Sequence, residues 1–221
     1  MRTQVVEIRC LEDLDRAVAS VGLPVGPRTG PHKRTKDKKE WFVFLRFLKA
    51  TIPAGTLELP IVVRNGHPPD EPDFVATRGK STIALFEITE ATIETDQEEM
   101  TAFERSGKDM MMLGDFGGRF AGGGGWPGGV WAMDIVAAIM RKRGKVIFRD
   151  AIAARHLLVY PNSNAAHLLF DENDERKAVD DLRAEIKAAN ELPCMVNGCL
   201  VHVVGKHLVC FDALGEMKIL A

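Results

Sequence analysis

The chain has 221 residues, 46% of them hydrophobic, and its 29 Lys and Arg against 31 Asp and Glu leave a net charge of −2. That length makes one largish domain or two small ones, with core enough to need no disulfide staples. The near-neutral balance excludes a global basic field, so any nucleic-acid surface is local. No run of about 18 apolar residues occurs, and no apolar leader-like stretch follows Met1; a cytoplasmic protein without a membrane partner is expected.

In chain order, residues 1–21 predict a strand over Gln4–Arg9 and then a short helix with Leu11, Leu14 and Val18 on one face. The stretch "GLPVGPRTGPHKRTKDKK", rich in Pro, Gly and basic residues, reads as an exposed linker. From about Asp37 to Ala50 a helix is expected, burying Trp41, Phe42, Leu45 and Leu48. "TLELPIVVRN" predicts a strand whose first part Pro60 demotes to an edge or bulge. Two β-like runs, Asp73–Arg78 and Thr82–Glu90, follow around Gly79-Lys80-Ser81. A polar helix is expected from about Glu94 to Met112.

Residues 113–129 hold nine glycines and read as a long loop, with Phe116, Phe120 and Trp126 suggesting closure over something. Neither a Walker loop nor a dinucleotide fingerprint fits, since no GK[ST] closes the run and no strand precedes it. Helix is predicted again from Val130 to Lys145, a buried strand in "HLLVYPN" (156–162), and an amphipathic helix over about 174–190 with Ala178, Leu182, Ile186 and Ala189 inward. Three β runs end the chain, Cys199–Val204, His207–Phe211 and Glu216–Leu220, the first two joined by a two-residue Gly205-Lys206 turn. They either extend the main sheet or serve a homodimer. Cys10, Cys194, Cys199 and Cys210 form no CxxC pair and read as reduced thiols. The pattern is mixed α/β, divided as an N-terminal segment and basic linker (1–35), a core (36–162) and a helix with C-terminal strands (163–221).

Glu87 lies inside the apolar run Ile83-Ala84-Leu85-Phe86-Glu87-Ile88, where an ionised group is costly to bury. If Gly79-Lys80-Ser81 is a three-residue loop, Arg78 pairs with Thr82 and Asp73 falls opposite Glu87. Opposed residues share a face with Cβ atoms about 5 Å apart. Two carboxylates so close repel unless one is protonated or a cation joins them. Mg²⁺ (or Mn²⁺) suits the pair, because it takes one or two carboxylates and completes its shell with water and phosphate oxygens. The Ile88 carbonyl is a third candidate ligand. A salt bridge from Glu87 to a local Lys or Arg is the alternative.

Pro72-Asp73 and, 14 positions on, Glu87-Ile88-Thr89 resemble the PD-(D/E)XK phosphodiesterase motif of the restriction-endonuclease-like superfamily. The resemblance covers about residues 37–162 and includes the order of elements: helix, acidic hairpin, helix, strand. It implies a restriction-endonuclease-like core, a mixed sheet flanked by helices with a C-terminal β-rich extension. It further implies Mg²⁺-dependent cleavage of nucleic acid, DNA ahead of RNA. Thr89 stands where that family carries its lysine. Lys142, three residues after Ile139 and seven after Ile135, continues their stripe and is the candidate replacement cation, with Lys145 second. Cations crowding a helix C-terminus also suit its dipole. Glu40, four and seven residues before Phe44 and Phe47, is a further acid candidate. Glu90 points away from Glu87, and Asp70 and His67 lie in the Pro-rich lead-in. Lys33–Lys39, Arg78/Lys80 and Arg141–Lys145 are the candidate phosphate groove. The competing expectation is an inactive nuclease-like scaffold that binds or assembles.

Overall fold

The computed structural model describes residues 4–21, 35–55, 57–66, 71–91, 102, 127–142, 154–161, 172–189, 199–202, 208–211 and 217–220. In chain order these give β1 (Val5–Ile8), α1 (Leu11–Val21), α2 (Lys36–Thr51), β2 (Ile61–Asn65), β3 (Phe74–Arg78), β4 (Ser81–Ala91), α3 (Pro127–Arg141), β5 (Ala154–Pro161), α4 (Glu172–Ala188), β6 (Cys199–His202), β7 (Leu208–Phe211) and β8 (Met217–Leu220).

Strands β1 to β4 form an antiparallel meander, and β5 lies parallel to β4. A parallel neighbour needs a crossover, and α3 sits in that connection, packed on β4, β5 and α4. The protein is therefore mixed α/β, with β1 to β5 forming a mixed sheet flanked by helices. The backbone ladder continues from β5 to a parallel β6 and on through antiparallel β7 and β8. Cys199 faces Phe211, one residue off the register that a two-residue Gly205-Lys206 turn would set; the turn itself lies outside the described residues.

The β3–β4 hairpin corrects one expectation and keeps its consequence. Arg78 pairs with Ser81, not Thr82, so the turn is the two-residue Gly79-Lys80, with Gly79 at φ +59°. That left-handed conformation is cheap only without a Cβ, and two-residue turns match the twist of the strands they join. The ladder then shifts between Ala76 and Thr77: Thr77 faces Thr82 while Ala76 faces Ala84, leaving Ile83 as a bulge. Beyond the bulge, Val75 faces Leu85 and Phe74 faces Phe86. One residue fewer in the turn and one extra in the strand cancel, and Asp73 still enters β3 in line with Glu87.

One face of the sheet carries the even-numbered residues Phe74, Ala76, Ala84, Phe86 and Ile88, packed under Trp41, Phe44, Phe47 and Leu48 of α2. Phe44 stacks on Phe74 with centroids 4.3 Å apart and meets Phe86 edge-on at 4.9 Å. Helix α2 starts at Thr35, whose hydroxyl accepts from the Lys38 N–H at 3.2 Å, an ordinary N-cap. Its buried arc is wider than the expected stripe because α1 packs on it as well; Val43 and Phe47 are buried too. Phe42, expected inside, is instead half-buried beneath the Arg46 guanidinium, 5.5 Å from the ring centroid. Leu11, also expected inside, is 46% exposed at the first position of α1, whereas Leu14 is 1% exposed. Side chains lean towards a helix's N-terminus, which carries Leu11 off the packed turn.

On the opposite face Leu157 and Val159 are buried, as are Trp131, Ile135, Ala138 and Ile139 of α3 and Ala178, Leu182 and Ile186 of α4. Pro127, Gly128 and Gly129, expected to end the glycine-rich loop, form the first turn of α3. Proline suits that position, because its fixed φ is helical and its missing N–H would have no partner there. Residues 113–126 and, except for Ala102, the helix expected over 94–112 lie outside the described residues.

Candidate functional site

Strand alternation places Phe74 and Phe86 in the aromatic core, so their chain neighbours Asp73 and Glu87 point to the other face. Asp73 is 6% exposed and Glu87 1%. The approach of Asp73 is fixed on both sides. The Gly66 N–H donates to the Asp73 carbonyl at 3.0 Å, and Arg64 grips Glu71 through two 3.0 Å bonds. Gly66 has to be glycine, since a Cβ there would stand 1.9 Å from the Pro72 carbonyl oxygen. The Asp73 Oδ2 then accepts the Ile88 N–H at 2.7 Å, tying the acid to the residue after Glu87.

Lys142 closes the pair from α3. Its Nζ lies 2.6 Å from Glu87 Oε1, and the two side chains are 18% and 2% exposed. Thr89, at the position where a lysine was looked for, is buried on the same face as Glu87. The ammonium therefore reaches Glu87 from the end of a neighbouring helix rather than from its own strand.

A third acid comes from α2. Glu40 carries a carboxyl pushed up to about 7, by burial first and by the negative charge of Asp73 second, with Lys36 opposing. Lys36 sits one turn before Glu40, with Nζ 3.3 Å from Oε1. Burial alone would lower the Lys36 ammonium; Glu40, Asp73 and Glu87 outweigh it and raise it. Asp73 is raised as well, by burial and then by Glu87, against the Ile88 N–H, Lys142 and Lys36. Asp73, Glu87, Lys142, Glu40 and Lys36 thus form one electrostatic unit.

Other candidates fall elsewhere. Glu90 faces α2, where its carboxylate pairs with Lys39, and its carbonyl accepts Arg141 Nη2 at 3.0 Å. Arg78 and Lys80 belong to the far end of the hairpin: Arg78 lies five residue steps beyond Asp73, about 16 Å at 3.3 Å per residue, and Arg78 pairs with Glu58 instead. The hairpin tip is thus no part of a groove at the acids. His67, Asp70, Lys33, Arg34, Arg143 and Lys145 lie outside the described residues. Gly66 was not singled out in the sequence, and Lys36, Lys39 and Arg141 entered it only as members of basic clusters, not as partners of Glu40 and Glu90. Only the i, i+4 spacing of Lys36 and Glu40 offered a signal for any of them.

Two buried carboxylates on one face, one with its protonation favoured, are a donor set that a hard dication would relieve. Among the described residues no group of three or more His, Cys, Asp or Glu stands at metal-holding spacing. Two carboxylates suffice for Mg²⁺ when water and phosphate fill the rest of its shell, so Asp73 and Glu87 fit that ion, with the Ile88 backbone between them. Among the described residues, no helix is long and apolar enough to cross a membrane. Cys10 is an exposed free thiol. Comparison with protein-family models, with curated proteins and with solved structures finds no match to this chain.

Proposed function

We propose that this protein hydrolyses phosphodiester bonds of nucleic acid with the help of Mg²⁺ or Mn²⁺, through a divergent PD-(D/E)XK-type site. The observation that carries the reading is the Lys142–Glu87 contact at 2.6 Å beside Asp73. It supplies, from another element, the amine that Thr89 does not. The helix–meander–helix–strand order α2, β2–β4, α3, β5, with the acids on β4 and at the entry of β3, supports the restriction-endonuclease-like reading.

In this reading Asp73 and Glu87 hold the ion, with the Ile88 carbonyl as a further ligand. When bound, the ion would polarise the phosphate and lower the pKa of a water. The chain's own groups do the rest. Lys142 holds positive charge where the pentacoordinate phosphorus of the transition state gathers negative charge on its oxygens. Glu40, its carboxyl poised near 7, is suited to take a proton from the attacking water or to pass one on. Lys36 steadies Glu40 and faces the same acids. DNA is the first substrate to try.

The test is cleavage of linear DNA and of RNA in Mg²⁺ or Mn²⁺, with Mn²⁺ binding followed by calorimetry. Cleavage that disappears in Asp73→Ala and in Glu87→Ala supports the reading. Cleavage that survives both, or the absence of any cation binding, refutes it. A second reading, an inactive scaffold that binds or assembles, draws on Thr89 and on the Lys142 ammonium already neutralising Glu87. It expects nucleic-acid or protein binding without turnover.

A further inference from the structure

We propose that Arg141 is a positioning residue: its hold on the Glu90 carbonyl keeps the Lys142 ammonium against Glu87. The inference rests on Lys142 being the site's cation and does not require that cleavage occur.

Lys142 is poorly fixed by its own backbone. Helix α3 ends at Arg141, and the Lys142 N–H already takes the tighter bond to the Ile139 carbonyl, 3.0 Å, that marks a fraying last turn. A lysine there has a long flexible stem and a backbone that can unwind. A pair of adjacent side chains adds polar ties between this end of α3 and β4 to the apolar packing of Ala138 and Ile139. Lys142 reaches Glu87, and Arg141 reaches the carbonyl of Glu90, three residues further along the same strand.

The Arg141 attachment is suited to holding rather than to chemistry. A backbone carbonyl keeps its place whatever the side chains around the site do, and a guanidinium stays charged at every relevant pH. Glu90 is itself braced from the other face of the sheet, where Lys39 of α2 pairs with its carboxylate. The chain Lys39–Glu90–Arg141 therefore links α2, β4 and α3 at the end of the sheet where Glu40, Asp73, Glu87 and Lys142 meet. Arg141 sets the reach of Lys142 through its bond to the strand backbone, which gives the two adjacent cations at the end of α3 a division of labour.

The experiment uses the full chain without metal or nucleic acid. Each lysine is reductively methylated with formaldehyde and cyanoborohydride, and its rate is read by mass spectrometry. Lys38, exposed on α2, is the internal reference, and Glu87→Gln shows the rate of a released Lys142. In the wild type Lys142 reacts slowly. In Arg141→Met it is expected to react on the order of tenfold faster, the factor that one lost charge-assisted hydrogen bond represents. Arg141→Lys, which keeps a cationic donor, should recover much of the protection, and Arg141→Ala, which also removes the donor, stands in if the methionine variant does not fold. Circular dichroism and thermal melts check folding. Unchanged Lys142 labelling in a folded Arg141→Met or Arg141→Ala variant overturns the proposal, as does an equal rise at Lys38, which would mean general loosening. Loss of the phosphodiesterase reading would appear separately, as wild-type protein that neither binds Mn²⁺ nor cleaves.

Discussion

Replacing Lys142 by methionine keeps the length of the stem and removes the charge that faces Glu87. At 2.6 Å, Coulomb's law with an effective dielectric of about 20 gives a gross attraction of about 6 kcal/mol. Desolvating both ions takes several kcal/mol of that back. Breaking a buried pair from one side leaves the other charge stranded and costs about 3–5 kcal/mol; the partial exposure of Lys142 puts Lys142→Met at the lower end, near 3. For a chain of this length that is a melting shift of about 6–12 °C. Glu87→Gln should cost less, about 1–2 kcal/mol, because losing the pair is offset by relief of the repulsion with Asp73. Once Glu87 is neutral, Lys142→Met should add less than about 1 kcal/mol, so the double-mutant cycle should give a coupling of about 2–3 kcal/mol. Urea unfolding of the four proteins at pH 7 without divalent ions measures it. A coupling below about 0.5 kcal/mol would show that Lys142 does not hold Glu87, and the site as described would fail.

Glu40 makes stability depend on pH in a definite direction. Its folded carboxyl titrates near 7 against an ordinary 4.5, so between those values the folded state binds more protons. Stability therefore falls as pH rises through this window, by up to about 3 kcal/mol. Asp73, also raised, adds to the fall from lower pH. Glu40→Gln should remove most of the slope and exceed the wild type in stability at pH 8, measured by urea unfolding from pH 4.5 to 8; a parallel slope in the variant would refute the assignment. Gly66→Ala would bring a Cβ to 1.9 Å from the Pro72 carbonyl oxygen and must push it away, costing about 1–3 kcal/mol and loosening Asp73, so Mn²⁺ binding by calorimetry should weaken. Gly79→Val should cost about 1–2 kcal/mol through its left-handed φ alone, without altering Mn²⁺ binding, since the turn lies at the far end of the hairpin. Phe44→Ala, which empties the ring stack on Phe74, should cost about 3–5 kcal/mol in the same assay.

The β-meander was legible because its signals are local. Alternation assigns faces two residues at a time, and Gly79 announces a turn wherever the ladder needs a positive φ. The details of the turn were not legible. A three-residue loop and a two-residue turn with a bulge differ by compensating insertions, and both put Asp73 in line with Glu87. Which of them forms depends on how Ile83 packs under the helix layer, and that is not encoded in the loop residues. The start of α3 at Pro127 was missed for a related reason. Two glycines after a proline look like the end of a loop, yet the first helical turn is the place where missing side chains and a missing N–H cost least.

The long-range contacts of the site were the hardest part to read, because each joins residues more than fifty positions apart: Lys142 with Glu87, Lys39 with Glu90, and Arg141 with the Glu90 carbonyl. Helical periodicity showed which way Lys142 points but not how far its helix slides along β4. Three lysines in the first turns of α2 (Lys36, Lys38 and Lys39) are a local conflict, since cations there oppose the helix dipole. Such a conflict persists when something else offsets it, and two of the three have acids facing them: Glu40 and Glu90. The N-terminus of α2 and the C-terminus of α3 meet at one end of the sheet, so cations from both helices balance acids that neither strand could bury alone. That balance accounts for how Glu87 is tolerated inside an apolar strand.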